Sequence, residues 1–396
     1  MPIPTPFYTR TAGLCESHEW RNWAGYLAAA LYEPTHEREY YAIRNSAALI
    51  DVSPLYKYEI RGPDAFAAVD RIMTRDVRRC SIGQVMYSAW CDDDGKVIDD
   101  GTLAHLEENR FRLTSAEANL VWFQDCCIGL DAQVADVSRE LATLAIQGPN
   151  ARRILEIILG AGTLTSLKYY HLAEFNLGEI QLTISRTGYT GDLGYELWLP
   201  PESAGQVWDA VTEAGSGFGL LPAGIMALDI ARIEAGLIML QVDYISSRKA
   251  LIPEQKSSPF EIGLGWAVSL EKPDFIGKRA LLAERKAGSR WKYVGLEVNW
   301  DPLEALYTEV GLTPQLAGRA SRLSAPVYLK DRHVGQMTSH TFSPILKKYI
   351  AIGTIETQYA EYGKVVELEF TVEHVRQKAE AVIVKPPFFD PPRKRA

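Results

Sequence analysis

Carboxylates at two places in the sequence have neighbours that suggest a catalytic or binding role. The first place is an aspartate pair. Asp99 and Asp100 follow the apolar residues Val97 and Ile98 and precede a glycine. Adjacent residues on a strand point to opposite faces, so only one aspartate can face a given pocket. A carboxylate at a strand end can accept or orient a proton, or stabilise a developing positive charge. The earlier run Asp92–Asp94 is instead typical of a turn.

The second place is the stretch "SRTGYTGDLGYELWLP", residues 185–200. Its three glycines suit a tight turn or a close approach of the backbone to another group. Tyr195 and two leucines then alternate with Glu196 and Trp198, which is the spacing of a strand. Glu196 is therefore either a solvated strand residue or a buried acceptor for the N–H groups of a ligand.

Two aromatic residues accompany these carboxylates. Tyr87 lies on a strand shortly before the Asp92–Asp94 turn, and Trp266 follows two glycines in "EIGLGWAV". Each is typical of a core position, although an indole or a phenol ring can also pack against a flat ligand. The sequence alone leaves both interpretations open.

The elements that must position these residues fall into two similar passes between about residues 45 and 240. Each pass reads as a strand, a Gly-Pro turn and a helix, in "RGPDAFAAVDRIM" and "QGPNARRILEIIL". This pattern predicts paired α+β units and not a doubly wound parallel sheet. After about residue 290 the chain changes to six short strands separated by turn residues, which predicts a sandwich or barrel. The predicted fold class is α+β.

Composition excludes several classes of protein. The chain has 396 residues and a net charge of −8, which argues against a general nucleic-acid binder. No stretch approaches 18 uninterrupted apolar residues, so we expect no membrane span. The five cysteines show no CxxC spacing, and the sequence opens without an apolar signal-peptide core. We therefore expect reduced cysteines and a cytoplasmic protein without a metal site.

Several motifs, in order, resemble one known family. "SRTGYTGDLGYE" is similar to the signature S-R-T-G-Y-T-G-E-D-G-F-E of the glycine-cleavage T-proteins, which are folate-dependent aminomethyltransferases. "GKVIDDGTL", "LAIQGP", "RIEAGL", "GLGWAV" and "GQMTSHTFSP" resemble further family segments at matching spacing. The resemblance covers most of the chain. It implies a three-domain clover-leaf fold with two α+β folate-binding domains and a C-terminal β-barrel or jelly-roll-like domain.

The resemblance also implies a cofactor and a set of site residues. Tetrahydrofolate is expected in a central channel, with Glu196 holding the pterin ring through paired N–H bonds. Asp100 matches the aspartate beside the reactive nitrogen and is the expected catalytic residue. The positions that match the channel lining or the cofactor site are Tyr87, Tyr189, Trp266 and Ser115. Tyr189, or alternatively Tyr56, is expected to act on the donor heteroatom.

Departures from the T-protein pattern alter the walls of the expected channel. Leu228 replaces the arginine of an A-R-D triplet that contacts folate in T-proteins, and "SPLY" at 53–56 replaces "S-H-M". Such departures also occur in relatives that use other methyl donors, such as dimethylsulfoniopropionate demethylase and the aromatic O-demethylases. The chain therefore looks closer to these tetrahydrofolate-dependent demethylases.

We therefore expect a tetrahydrofolate-dependent methyltransferase that takes a methyl group from a small O-, N- or S-methylated compound. The first alternative is the glycine-cleavage aminomethyltransferase, whose partner is a lipoyl carrier protein. The second alternative is a folate-binding regulatory protein without turnover. The predicted domains are residues 1–289, the folate-binding region with two interleaved α+β units, and residues 290–396, the barrel.

Overall fold

The computed structural model describes residues 1–315 and 318–396. Within them lie nine α-helices: α1 Tyr8–Thr11, α2 Glu37–Asn45, α3 Ala65–Ile72, α4 Leu120–Cys126, α5 Ala151–Leu159, α6 Ala204–Gly215, α7 Ile225–Glu234, α8 Lys278–Ala287 and α9 Trp300–Thr308. The strands in the same ranges are β1 Ile3–Pro4, β2 Trp20–Trp23, β3 Tyr26–Ala29, β4 Ala47–Asp51, β5 Tyr56–Arg61, β6 Val85–Cys91, β7 Val97–Glu107, β8 Arg110–Ser115, β9 Gln133–Asp136, β10 Ala142–Gln147, β11 Leu172–Leu177, β12 Ile180–Ser185, β13 Gly194–Leu199, β14 Leu220–Pro222, β15 Trp291–Val298, β16 Ala325–Leu329, β17 Arg332–Ser343, β18 Lys348–Glu356, β19 Val365–Val372 and β20 Val375–Val384.

The first α+β unit is a five-stranded antiparallel sheet in the order β6-β7-β8-β5-β9. Strand β5, "YKYEIR", alternates aromatic or aliphatic residues with charged ones, so its two faces differ. Tyr58 and Ile60 join Phe111 and Leu113 in a buried core with helices α3 and α4. The opposite face of the sheet carries the polar side chains.

The second unit is a six-stranded sheet in the order β11-β12-β13-β10-β4-β14. Leu144, Ile184 and Leu197 lie on the face that packs against helices α5 and α6. Full burial of one such aliphatic side chain contributes about 1.5–3 kcal/mol to folding. The other face of this sheet carries Glu196 and Trp198, because these residues alternate with the core residues along β13.

The two predicted strand-turn-helix passes are present and share one backbone feature. Gly62 follows β5 and Gly148 follows β10, and both have φ = 130°. A Cβ would lie 2.4 Å from the carbonyl oxygen of Asp131 at the first position and 2.7 Å from that of Ser46 at the second. Glycine is required at both turns because an L-residue would meet strain and a backbone clash.

The polar faces of the two sheets line a single cleft. Thr102, Arg112 and Thr114 line it from the five-stranded sheet, and Glu196 and Trp198 line it from the six-stranded sheet. The cleft is narrow. Because each sheet is backed by its own helices and core, the cleft lies between two units that are each packed on their outer side.

The C-terminal region forms a closed barrel in the order β15-β18-β17-β16-β19-β20. Helix α7, almost entirely buried, contacts α2 on one side and strands β17 and β18 on the other. The barrel is thereby attached to the second α+β unit. A three-stranded sheet in the order β1-β3-β2, near the start of the chain, completes the fold.

The predicted fold class is confirmed: two α+β units precede a six-stranded β-barrel. The division at residues 289 and 290 stays a prediction, although the first barrel strand begins at Trp291. The sequence pattern did not indicate helix α9, which lies between the first two barrel strands in the chain. None of the helices in the described part of the chain has the length and apolar character needed to span a bilayer.

Candidate active site between the two sheets

Glu196 faces the cleft from the middle of β13, where it pairs with Ser185 of β12 and Ala145 of β10. The Thr187 hydroxyl donates to its Oε2 at 2.5 Å. Burial raises the pKa of Glu196, while the hydroxyls of Thr187 and Ser185 and the nearby cationic groups oppose the rise. Since a carboxylate has about four acceptor positions, Glu196 retains the capacity to accept N–H groups from a ligand.

The glycines of the 185–200 stretch make room for one buried side chain, that of Gln147. A Cβ at Gly188 or at Gly194 would lie 2.1 or 2.2 Å from the Gln147 side-chain oxygen. Gln147 Nε2 donates to the Thr187 carbonyl at 3.2 Å, and its Oε1 accepts from Thr190 at 2.8 Å. The turn therefore wraps around Gln147, and this fixes Thr187 beside Glu196.

The aspartate pair is divided between the two faces of the first sheet. Asp99 is fully buried on the core side, where its Oδ2 accepts from Asn119 Nδ2 at 2.9 Å. Asp100 lies on the cleft side, two residues before Thr102 on the same face of β7. Burial raises the pKa of both carboxyls, and the charge of Asp100 contributes to the rise at Asp99.

Two tyrosine hydroxyls hold the Asp100 carboxylate. Tyr87 donates to Oδ2 at 2.6 Å, and Tyr244 donates to Oδ1. Both hydrogen bonds favour the ionised form of Asp100 and oppose the effect of burial on its pKa. Burial, followed by the charge of Asp100, raises the pKa of each phenol well above its usual range, so both remain donors at neutral pH.

Tyr244 is held in place by the barrel through its neighbour Asp243. The Asp243 Oδ1 accepts from the hydroxyls of Thr338 and Ser339 on β17, at 2.5 and 2.6 Å. Its Oδ2 accepts from the buried Arg232 of α7 at 2.6 Å. The C-terminal domain therefore contributes to the position of a group that contacts Asp100.

Glu196 lines the cleft, and Asp100 lies on the same face of β7 as the cleft-lining Thr102. Tyr170 connects the two sheets near these carboxylates. The Tyr170 backbone N–H donates to Arg186 at 3.0 Å, and its carbonyl accepts from Val85 at 2.9 Å, so this residue joins the two sheets. Burial raises the pKa of Tyr170, and the charge of Glu196 adds to the rise. Tyr170 in turn contributes to the raised pKa of Tyr87, which bonds Asp100.

Trp266 and Tyr189 lie beside this cluster in different roles. The Trp266 ring is 62% exposed and stacks on Tyr87, with centroids 5.8 Å apart and an interplanar angle of 18°. Trp266 therefore lies at the surface and contacts Asp100 only through the ring of Tyr87. The Tyr189 hydroxyl donates to the Ile238 carbonyl and does not bond the carboxylate.

Ser115 and Tyr56 lie away from the inner face of the cleft. Ser115 is buried, and its hydroxyl donates to the Glu117 carbonyl at 2.6 Å. Tyr56 stacks on Tyr58, with centroids 6.4 Å apart, at the helix-backed core of the first unit. The residue of this segment that does line the cleft is Thr114, whose hydroxyl lies 2.6 Å from that of Thr102.

Two buried cations of the cleft face were missed by the sequence analysis. Arg112 is 5% exposed, and its guanidinium lies 4.5 Å from the centre of the Trp198 ring. Lys57, fully buried, donates to the carbonyl oxygens of Ser53 at 2.7 Å and Leu55 at 2.9 Å. Their alternation with Tyr58, Leu113 and similar core residues on β5 and β8 is the signal that could have found them.

The described ranges contain no group of three or more histidine, cysteine, aspartate and glutamate side chains arranged to hold a metal ion. The arrangement instead provides an acceptor, Glu196, in a narrow cleft, and a carboxylate held by two tyrosines, Asp100, on the strand face that carries the cleft residue Thr102. Such a pair can hold a polar planar ligand by its edge and place a negative charge near a reacting carbon.

Two family models match the chain. The one described as "GCVT N-terminal domain" covers residues 8–272. The one described as "Glycine cleavage T-protein C-terminal barrel domain" covers residues 308–390. Together the two matches span both α+β units and most of the barrel.

Individual proteins agree with these matches. A protein named aminomethyltransferase from Halothermothrix orenii is 34% identical over 383 residues, which is 95% of this chain and 96% of that protein. A protein named trimethylamine-oxide aldolase from Ruegeria pomeroyi is 32% identical over 407 residues, and the match spans 48% of its length. The crystal structure of glycine cleavage system aminomethyltransferase T from Bartonella henselae matches with a TM-score of 0.82 and 23% identity, over 98% of this chain and 99% of that one. At this identity the structural match shows the fold.

Proposed function

This chain belongs to the glycine-cleavage T-protein (aminomethyltransferase) family, and on that premise we propose that it transfers an aminomethyl group to tetrahydrofolate. The family resemblance, the class of enzyme and the cosubstrate predicted from the sequence are confirmed: the chain is a tetrahydrofolate-dependent one-carbon transferase. What remains a proposal is the donor and the role of each residue.

The observation that carries the proposal is that Glu196 lines the cleft between the two sheets, while Asp100 lies on the strand face that also presents Thr102 to this cleft. The residues present fit a reduced pterin. Glu196 offers a half-buried carboxylate with free acceptor capacity, and the guanidinium of Arg112 and the ring of Trp198 line the same cleft. We assign Glu196 to the N–H edge of the pterin.

Tetrahydrofolate, when bound, supplies the nucleophilic nitrogen that receives the one-carbon unit. Asp100 places an ionised carboxylate at the reacting end of the cleft, where it stabilises positive charge on the carbon that is transferred. Tyr87 and Tyr244 keep this carboxylate ionised and oriented. Trp266 and Tyr189 contribute walls around the donor.

The relative from Halothermothrix orenii is named aminomethyltransferase, and the match covers 96% of its length. This favours an aminomethyl donor, which we propose is attached to a lipoyl carrier protein. The position of Trp266 agrees with this choice. A carrier-bound group must enter from the surface, and the exposed Trp266 and the half-buried Tyr87 stand between solvent and Asp100 on this path. We also propose a cytoplasmic location, because the five cysteines are free and buried.

A second candidate is the demethylation of a small methylated compound, which the sequence analysis had favoured. It is supported by Leu228, which is 7% exposed and belongs to an apolar cluster with Ile50 and Ala145. The resemblance places a folate-contacting arginine at this position in T-proteins. The relative named trimethylamine-oxide aldolase points in the same direction, but this chain spans only about half of it.

The test is to incubate the protein with tetrahydrofolate and either an aminomethyl-loaded lipoyl carrier or a panel of O-, N- and S-methylated compounds. The folate product is identified by mass. The carrier should yield 5,10-methylene-tetrahydrofolate together with free ammonia and the reduced carrier. Formation of 5-methyl-tetrahydrofolate from a small compound alone would replace the first proposal with the second.

The variant Asp100→Asn provides the internal test. It should retain tetrahydrofolate binding and lower turnover by roughly 10²- to 10⁴-fold, the range typical of a positioned proton-transfer or charge-stabilising group. The matched control is Asp93→Asn, in the exposed turn of the same hairpin. Full turnover in Asp100→Asn would remove the assigned role.

A further inference from the structure

Arg112 is a buried cation without a hydrogen-bond or ion-pair partner in the described part of the protein. It lies on β8, is 5% exposed and lines the cleft. Its nearest candidate partner, Glu59, is already engaged: Arg61 and Arg110 both donate to its carboxylate. Within residues 1–315 and 318–396, no hydrogen bond involves the Arg112 guanidinium and no carboxylate oxygen lies within 4.0 Å of its nitrogens.

A buried guanidinium without a hydrogen-bond acceptor costs free energy unless a bound ligand supplies the acceptor. Burial lowers the pKa of Arg112 to about 10, so the group is still a cation at neutral pH. Its N–H donors keep little contact with water and find no acceptor among the described residues. The nearby Trp198 ring, 4.5 Å from the guanidinium carbon, holds the plane of the group in the cleft. An acceptor is therefore expected from whatever enters this space.

The position of Arg112 relative to Glu196 indicates which acceptor that is. Both side chains line the same narrow cleft, yet they form no ion pair, so a ligand edge can lie against both. The edge of a 4-oxo pterin presents two N–H donors, on the 2-amino group and N3, followed by one acceptor, the oxygen at C4. A carboxylate beside a guanidinium matches this donor-donor-acceptor order.

We propose that Arg112 donates to the C4 oxygen of the reduced pterin and thereby selects 4-oxo over 4-amino pteridines. This inference rests on the proposed use of the cleft for tetrahydrofolate. Arg112 is a specificity-determining residue in this arrangement. An amino group at C4 would direct N–H donors at a guanidinium that also only donates, so the 4-amino analogue leaves both groups unpaired.

The experiment compares equilibrium binding of tetrahydrofolate and 4-amino-4-deoxytetrahydrofolate by calorimetry in the absence of oxygen. The wild-type protein should bind the 4-oxo compound at least about tenfold more tightly. In Arg112→Met this ratio should fall toward one, and in Arg112→Lys it should be intermediate. The control Arg71→Met also removes one positive charge, on α3 behind the sheet, and should leave the ratio unchanged.

A ratio measured within one variant does not depend on the fraction of protein that is folded. If Arg112→Met is insoluble, the ratio in Arg112→Lys decides the question. A ratio that is unchanged in both variants, with tetrahydrofolate still bound, would overturn this inference and leave the proposed function standing. Arg112 would then serve a different group, such as a carboxylate of the donor. No tetrahydrofolate uptake by the wild-type protein would instead overturn the proposed function.

Discussion

The tyrosine pair on Asp100 allows a sharp test through Tyr244→Phe. The substitution keeps the ring and removes only the hydroxyl that donates to Asp100 Oδ1. A hydrogen bond to a charged group is worth about 1.5–3 kcal/mol. Because that energy favours the ionised carboxylate, its loss makes Asp100 harder to ionise. Burial already raises the pKa of Asp100, and removing one opposing donor raises it further.

The expected result is a change in pH dependence and not a uniform loss of activity. The acid limb of kcat/KM should move to higher pH in Tyr244→Phe, while activity at alkaline pH returns close to that of the wild type. The assay follows folate product formation between about pH 5 and pH 9, since kcat/KM reports the ionisation of the free enzyme. Tyr87→Phe should act in the same direction, because Tyr87 bonds the other oxygen.

The matched control is Tyr56→Phe, which removes a phenol hydroxyl on the core side of the same sheet. Its pH profile should coincide with that of the wild type. An equal loss of kcat/KM at every pH in Tyr244→Phe would mean that Tyr244 contacts the donor directly. An unchanged profile would mean that Asp100 does not need to be ionised. Either result refutes the role assigned to the Tyr244 hydroxyl.

Three further predictions concern the cleft and its entrance. Glu196→Gln should weaken tetrahydrofolate binding by roughly 10- to 100-fold in calorimetry, because it replaces a charged acceptor, whereas the exposed control Glu202→Gln should not. Trp266→Ala should raise KM for the donor and change the melting temperature little, since the ring is mostly exposed. Lys57→Met should remove a pH-dependent part of stability: burial lowers the pKa of Lys57 to about 7, below its unfolded value of about 10.4. Between these two pKa values the unfolded chain binds more protons than the folded protein. The free energy of unfolding of the wild type, relative to that of Lys57→Met, should therefore rise as the pH increases from about 7 to about 10.4 and fall as the pH decreases through this range. Urea denaturation at several pH values measures it.

Local sequence patterns were sufficient to predict strands whose two faces differ in polarity. The alternation in "YKYEIR" and "GYELWL" predicted strands β5 and β13, and the two Gly-Pro turns predicted the paired units. Asp100 and Glu196 could be selected as candidates because each sits in a strand beside apolar neighbours. Their assignment to tetrahydrofolate came from the family resemblance, and their individual roles remain predictions.

Long-range contacts were not accessible in the same way. Tyr244 lies in a segment without helical or strand periodicity, and its position depends on Asp243, which bonds Thr338 and Ser339 of the barrel. Nothing near residue 244 in the sequence indicates these partners. Arg112 was missed for a different reason: a charged residue on a strand is usually solvated, whereas here Trp198 of the second sheet packs against a buried guanidinium.

The separate cores behind the two sheets have a consequence for engineering this enzyme. Side chains such as Val85, Thr102 and Ala104 line the cleft from the first sheet, whereas the helices pack against the other side of that sheet. Exchanging these side chains changes the shape of the substrate chamber and leaves the packing against α3 and α4 intact. Libraries restricted to such inward positions should therefore yield a high proportion of folded proteins, and are the practical starting point for turning the scaffold to new one-carbon donors.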